Sequence, residues 1–156
     1  MAPRLRSLLI AHGALVFLVG LVVGFPFAFF TLGKVALWPL PGSIAVTLPG
    51  DVRGWRMAHL EGILNGLTLI AVAAAGSELR LSPRAQAWVA WGLIVTAWGN
   101  TIASVIGPIS GGRGLEFGLG PANSVMYLLF VAAIATVIIA MWLVFRGALA
   151  SARRGD

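Results

Sequence analysis

Four long apolar stretches, separated by links rich in turn-forming or charged residues, set the pattern of this chain. They run over about residues 8–30, 55–75, 85–106 and 124–145, and Pro26 interrupts the first. Each has about 20 residues or a little more, enough for a helix to span a ~30 Å hydrocarbon core. The link 33–54 carries Pro39, Pro41 and Pro49 together with Gly42 and Gly50, which excludes a straight helix and reads as a long loop. The link 76–84 is short, so the second and third helices form an antiparallel hairpin. The link 107–122 is glycine-rich and carries Arg113 and Glu116. The pattern predicts an all-α integral membrane protein: one domain over residues 1–156, built as a bundle of four transmembrane helices.

Composition strengthens that reading. The chain is 59% hydrophobic and 10% charged, against about 25% charged in soluble domains, and no long segment is left for a soluble domain. Arg4 and Arg6 before an apolar run resemble a signal peptide. The run is too long for a cleaved segment and no small-x-small site follows promptly, so it reads as a retained first helix. The net charge of +6 sits at termini and loops, where it marks topology and attraction to anionic headgroups, with no nucleic-acid partner implied. Seven cations (Arg4, Arg6, Arg80, Arg84, Arg146, Arg153, Arg154) fall on one side and four (Lys34, Arg53, Arg56, Arg113) on the other. That bias predicts both termini in the cytoplasm, in a bacterial inner membrane. Cysteine is absent, which excludes disulfides, thiolate-ligated haem, iron–sulfur clusters and zinc thiolates.

The second span departs from its apolar surroundings at His59, Glu61 and Asn65. Polar groups at membrane depth are costly unless paired, and they mark function by default. Histidine is also the commonest neutral ligand for a metal or haem iron. At 1.5 Å per residue His59 lies ~6 Å inside the start of its helix and Asn65 ~9 Å deeper. Asn100, Ser104 and Tyr127 enter the same half of the membrane from helices three and four. This arithmetic gathers Glu61, Asn65, Asn100, Ser104 and Tyr127 around His59, under a loop that carries Arg113. His59 and Asn65 differ by ~120° in direction at ~100° per residue, so a planar cofactor wider than one helix meets both, whereas a small ion does not. Glu61 shares a stripe with Asn65 and reads as a satisfied partner, of Arg56 or Arg113. His12 lies near the other membrane face, ~15–20 Å from His59 by helix rise. One haem iron therefore cannot bind both in one subunit, and His12 reads as a polar residue near a helix end. The tryptophans read as belt or packing residues.

The ordered set Pro49-Gly50, Gly54-Trp55, Ala58-His59, Leu64-Asn65-Gly66, Trp98 with Asn100, and Arg113-Gly114-Leu115 with Phe117-Gly118 resembles styrene oxide isomerase, and His12-Gly13 fits the same pattern. The resemblance implies a four-helix membrane protein, a homotrimer with haem b at the subunit interfaces. It places the axial, metal-binding histidine at His59 and the substrate-orienting asparagine at Asn65. Arg113, in the covering loop, becomes a candidate cofactor-binding residue. Three features depart from the family pattern. The active-site tyrosine expected four residues beyond the Trp-x-Asn asparagine is Ser104, an acidic residue expected two before that tryptophan is Thr96, and the Arg113 loop is shorter. Tyr127, the single tyrosine, either takes over the missing phenol or sits in the interfacial belt.

The chemistry implied by the resemblance is conversion of a small apolar epoxide to a carbonyl compound, with ferric haem as Lewis acid and no net redox change. Asn65, Asn100, Ser104 and Tyr127 are the candidate catalytic residues. A dry membrane site suits this chemistry, because water traps a carbocation-like centre as a diol. Two other readings stay open on the sequence: a haem-binding membrane protein without isomerase activity, such as a sensor or carrier, and a haem-free partner subunit of a membrane complex.

Overall fold

Each apolar stretch forms one helix, and every helix begins before the stretch that predicts it. In the computed structural model, which describes residues 1–153, the order is α1 (Pro3–Leu32), β1 (Lys34–Ala36), β2 (Ser43–Ala45), α2 (Val52–Ala75), α3 (Pro83–Ser110) and α4 (Pro121–Ala152). Arg154, counted above for topology, lies outside the described residues. The early starts have local causes. Pro3, Pro83 and Pro121 occupy the first turns of α1, α3 and α4, where a missing N–H costs nothing. The Asp51 carboxylate accepts from Gly54 N at 2.7 Å to cap α2, and Ser82 accepts from Ala85 N at 3.3 Å to cap α3. Gly33 and Gly111 end α1 and α3 in the left-handed region, at φ 64° and 70°.

Two sequence expectations need correction here. Pro26 does not break the first span: α1 runs through it, as α3 runs through Pro108, because neighbouring helices tolerate a proline in a membrane helix. The link 33–54 is not only loop. β1 and β2 pair antiparallel, Val35 opposite Ile44, with β-branched residues in both short strands and the turn residues Pro39, Pro41 and Gly42 between them.

All four helices are long and apolar enough to cross a membrane, and the bundle is built around α3. That helix packs against α1, α2 and α4, whereas among the described residues α3 is the one helix that α4 packs against. Leu9, Val16, Leu69, Val89, Leu93 and Ala97 form the main buried core. Arg6 donates to Ala73 O at 3.0 Å, placing a cation on the negative end of α2. The end of the bundle holding this contact is termed proximal; the β1–β2 pair and the α3–α4 loop lie at the distal end.

Small residues set how closely the helices approach. A Cβ at Gly62 would lie 2.7 Å from Gly20 N, and one at Gly20 would lie 2.6 Å from Ile63 N. Both collisions are with backbone, which cannot rotate away. Gly13 and Gly66 repeat the arrangement two turns along α1 and one turn along α2, where a Cβ at Gly66 would meet Phe17 N at 2.6 Å. Between α3 and α4, Gly92 and Gly99 face Thr136 O and Leu129 O. The buried Thr96 hydroxyl lies 2.8 Å from Gly92 O and 2.9 Å from Thr136 Oγ1. Thr96 is thus part of a polar clasp between α3 and α4.

The close approach of α1 and α2 has a measurable consequence. Gly62→Ala is expected to cost about 1–3 kcal/mol, the range for overpacking, seen as a lower unfolding midpoint of the purified protein in detergent. Ala71→Leu, at an exposed position on the same helix, should leave the midpoint within error.

Candidate functional site

His59 lies on α2, half-buried, with its ring turned toward α1. Its Nδ1 is 2.8 Å from Gly20 O. A carbonyl oxygen has no proton to give, so Nδ1–H is the donor, and in the neutral ring the lone pair is left on Nε2. The ring stacks on Phe27 with centroids 6.1 Å apart and an interplanar angle of 26°. Gly24 leaves the space for it: a Cβ there would sit 3.0 Å from both Nδ1 and Cε1. Gly20, Gly24 and Phe27 are spaced i, i+4, i+7, so one face of α1 supplies the acceptor, the gap and the stacking partner.

His12 has the opposite arrangement. Trp98 Nε1 donates to His12 Nδ1 at 3.1 Å, with the rings edge to face. A neutral His12 therefore carries its proton on Nε2 and has no free lone pair. Sequence reading placed His12 as a polar residue near a helix end; the structure gives it a specific partner on α3.

Glu61 pairs with Asn65 and not, as expected, with Arg56 or Arg113. Asn65 Nδ2 donates to Glu61 Oε2 at 2.7 Å and to Glu61 O at 2.9 Å. Both N–H bonds of the carboxamide rest on one residue, and Oδ1 is turned away from it.

Ser104, Tyr127 and Arg113 share a chamber of about 460 Å³ between the distal ends of α2, α3 and α4. Met57, Met126, Phe130 and Ile134 give it apolar walls. Ser104 is 5% exposed and its hydroxyl has no hydrogen-bond partner among the described residues. Pro108, four residues on, lacks the N–H that a helix would direct at the Ser104 carbonyl. Thr101, three residues before Ser104 and 1% exposed, is likewise unpartnered. The Tyr127 ring meets Phe117 edge-on at 5.8 Å. The segment after β2 crosses the end of α3: Trp55 Nε1 donates to Pro49 O at 2.8 Å, and a Cβ at Gly50 would strike Pro108 O.

Asn123, 4% exposed, is not among the candidates drawn from the sequence. Its Oδ1 accepts from Arg113 N at 3.1 Å and Gly114 N at 2.9 Å, and its Nδ2 donates to Glu116 O at 2.6 Å and Gly118 O at 3.0 Å. Four bonds exhaust the amide's capacity and knot the loop that holds Arg113 at the chamber. A wider hollow of about 660 Å³ under this loop is walled mainly by the loop itself. A lone asparagine between a glycine-rich link and a helix was the available signal.

The candidate residues thus occupy separate places in one chain. His59 faces α1, Asn65 is held by Glu61, Asn100 is half-buried on α3, and Ser104, Tyr127 and Arg113 line the chamber. His59, Asn65 and Asn100 are not part of that chamber's wall.

Comparison with known proteins matches the chain to the styrene oxide isomerase family over residues 5–149. A styrene-oxide isomerase of Pseudomonas fluorescens is 29% identical over 134 residues, covering 83% of this chain and 78% of that protein. With nearly its whole length matched, the chain belongs to the styrene oxide isomerase family.

Proposed function

We propose that the protein is a haem-dependent epoxide isomerase of the membrane, converting an apolar epoxide to the corresponding carbonyl compound. Family membership supports isomerase chemistry on an epoxide. The observation that carries the cofactor assignment is the His59 tautomer: Nδ1–H is committed to Gly20 O, so Nε2 has the free lone pair an axial ligand needs, oriented by a carbonyl as ligating histidines usually are. Among the described residues no three His, Asp or Glu side chains converge to cage a bare ion, but a porphyrin supplies its own ring nitrogens and needs one such histidine. Haem, held through His59, would supply a Lewis acid for an epoxide oxygen, the chemistry needed to convert an epoxide to a carbonyl compound with no net redox change.

The protein's own tasks follow from its residues. His59 holds the group through Nε2. The apolar walls exclude the water that would divert a cation to a diol. Asn65 orients the substrate oxygen; both its N–H bonds rest on Glu61, so donation to a substrate exchanges one of them. Arg113, exposed and held in place by Asn123 through its backbone, is a cation available to an anionic group of the cofactor.

On this reading one chain is an incomplete site. His59 lies on the flank facing α1, and the chamber lies between α2, α3 and α4. A second copy brings the group held by His59 to the chamber of its neighbour, which fits the homotrimer implied by the resemblance. The bias of basic residues fits both termini in the cytoplasm of a bacterial inner membrane. Retention of haem without turnover of any epoxide would leave the non-catalytic haem-binding reading, which the serine at position 104 favours.

Purified protein is expected to show a Soret band that His59→Ala abolishes and His12→Ala keeps, and to turn an aryl epoxide into its aldehyde without added oxidant. Asn65→Ala should lower turnover on the order of tenfold, the worth of one transition-state hydrogen bond, with the Soret band unchanged. Equal loss of the band in both histidine variants contradicts the assignment.

The shared site gives a separate expectation. His59→Ala and Ser104→Trp, each inactive alone, should regain turnover when co-expressed in one cell, because mixed oligomers contain boundaries with an intact His59 on one side and an intact chamber on the other. No recovery, with mixed oligomers demonstrated by differential tags, contradicts it.

A further inference from the structure

The chamber at Ser104 combines two observations that point to an occupant. The first is an unsatisfied group: the Ser104 hydroxyl is 5% exposed and has no partner among the described residues. Leaving a buried hydroxyl unpaired is unfavourable, so such a group calls for a ligand, a water or another explanation. The second is space. The chamber measures about 460 Å³, whereas a dry cavity of about 150 Å³ already admits benzene. Its volume is roughly three times that needed for one aromatic ring and falls in the ~300–1,000 Å³ range that encloses drug-sized ligands.

The walls restrict the chemistry of what fills it. Met57, Met126, Phe130, Val131 and Ile134 offer carbon and thioether surface, and two unbranched methionines adapt to irregular shapes. Asp51, Arg53 and Arg113 line it as well, and all three are exposed, so they form its polar mouth. Ser104 and Tyr127 are the hydroxyl-bearing side chains among its lining residues. A hydroxyl can donate to an oxygen that has no proton of its own, which describes an epoxide.

Resting on the isomerase reading above, we propose that the chamber selects epoxides of two rings or of terpene size over single-ring epoxides, and that Ser104 is the specificity-determining residue. Its hydroxyl donates to the substrate oxygen, and its small side chain leaves the volume that the larger hydrocarbon body fills. A phenyl ring at this position would take up roughly a third of that volume and remove the donor.

The test uses haem-loaded protein in detergent with cis-stilbene oxide and styrene oxide as probes. Two quantities are read for each: the rise in unfolding midpoint on binding, and the rate of carbonyl formation. The two-ring probe should give the larger rise in midpoint and the higher kcat/KM. Ser104→Ala should weaken its binding about fivefold, as expected for one neutral hydrogen bond. Ser104→Phe should shift the kcat/KM ratio at least tenfold toward styrene oxide. The Soret band of each variant reports that the fold survives. Turnover of styrene oxide with neither binding nor turnover of cis-stilbene oxide overturns the proposal and leaves the isomerase reading standing, and so does a ratio unmoved by Ser104→Phe. Ser104-dependent binding of cis-stilbene oxide with no turnover of either probe supports the chamber and overturns the isomerase reading.

Discussion

The bond from His59 Nδ1–H to the carbonyl of Gly20 is the constraint on which the site depends, and it exists only because two helix backbones touch. In water such a contact would be one of many. In a membrane, where lipid is as apolar as any side chain, helices associate through close packing and the few polar contacts it permits. Gly20 and Gly62 remove the side chains that would hold α1 and α2 apart. The closeness brings a carbonyl of one helix within reach of an imidazole on the other, although that carbonyl belongs to a regular helix. Gly24 then clears room for the ring and Phe27 stacks on it. Packing and tautomer are therefore one problem with one solution, and the same helix contact that holds α1 against α2 leaves the lone pair of the neutral ring on Nε2.

The two halves of the chemistry are built by different rules. At His59 every polar atom but one is satisfied, and the remaining lone pair is what the site presents. In the chamber the reverse holds: Ser104 carries a hydroxyl with no partner among the described residues, against apolar walls. Asn123 stands between these extremes. It satisfies four groups of a glycine-rich loop, so a segment without regular structure takes a defined shape at the distal end of the bundle. Rigid support around an under-satisfied pocket is the usual arrangement where a ligand supplies the missing contacts.

Much of the bundle was legible in the sequence because hydrophobicity is summed over about 20 residues and tolerates local exceptions. The four spans and the hairpin of α2 and α3 follow from that sum alone. Helix ends were misplaced because they are set by caps and prolines outside the apolar runs, at Pro3, Asp51, Ser82 and Pro121. The β1–β2 pairing was missed because three-residue strands carry almost no periodic signal. Of the polar residues, His59 was visible as an exception within an apolar span, and the Glu61–Asn65 stripe followed from i,i+4 geometry. Which partner Glu61 takes was not legible, since Arg56, Arg113 and Asn65 all satisfied the depth arithmetic. Nor was the contact of His12 with Trp98, which depends on the lateral arrangement of α1 and α3. Depth counting placed Ser104 and Tyr127 beside His59; it fixes height in the membrane and says nothing about which side of a helix faces which neighbour.

The two histidines offer the most direct test of the central claim. With imidazole nitrogens labelled by ¹⁵N, and at a pH where both rings are neutral, haem-free protein in bilayers should show the two rings as opposite tautomers. His59 should carry its proton on Nδ1, directed at Gly20 O, and His12 should carry its proton on Nε2, with Nδ1 accepting from Trp98. Adding haem should shift or broaden the unprotonated Nε2 of His59 and leave His12 in place. A His59 protonated on Nε2, or a haem-induced change confined to His12, would contradict the account.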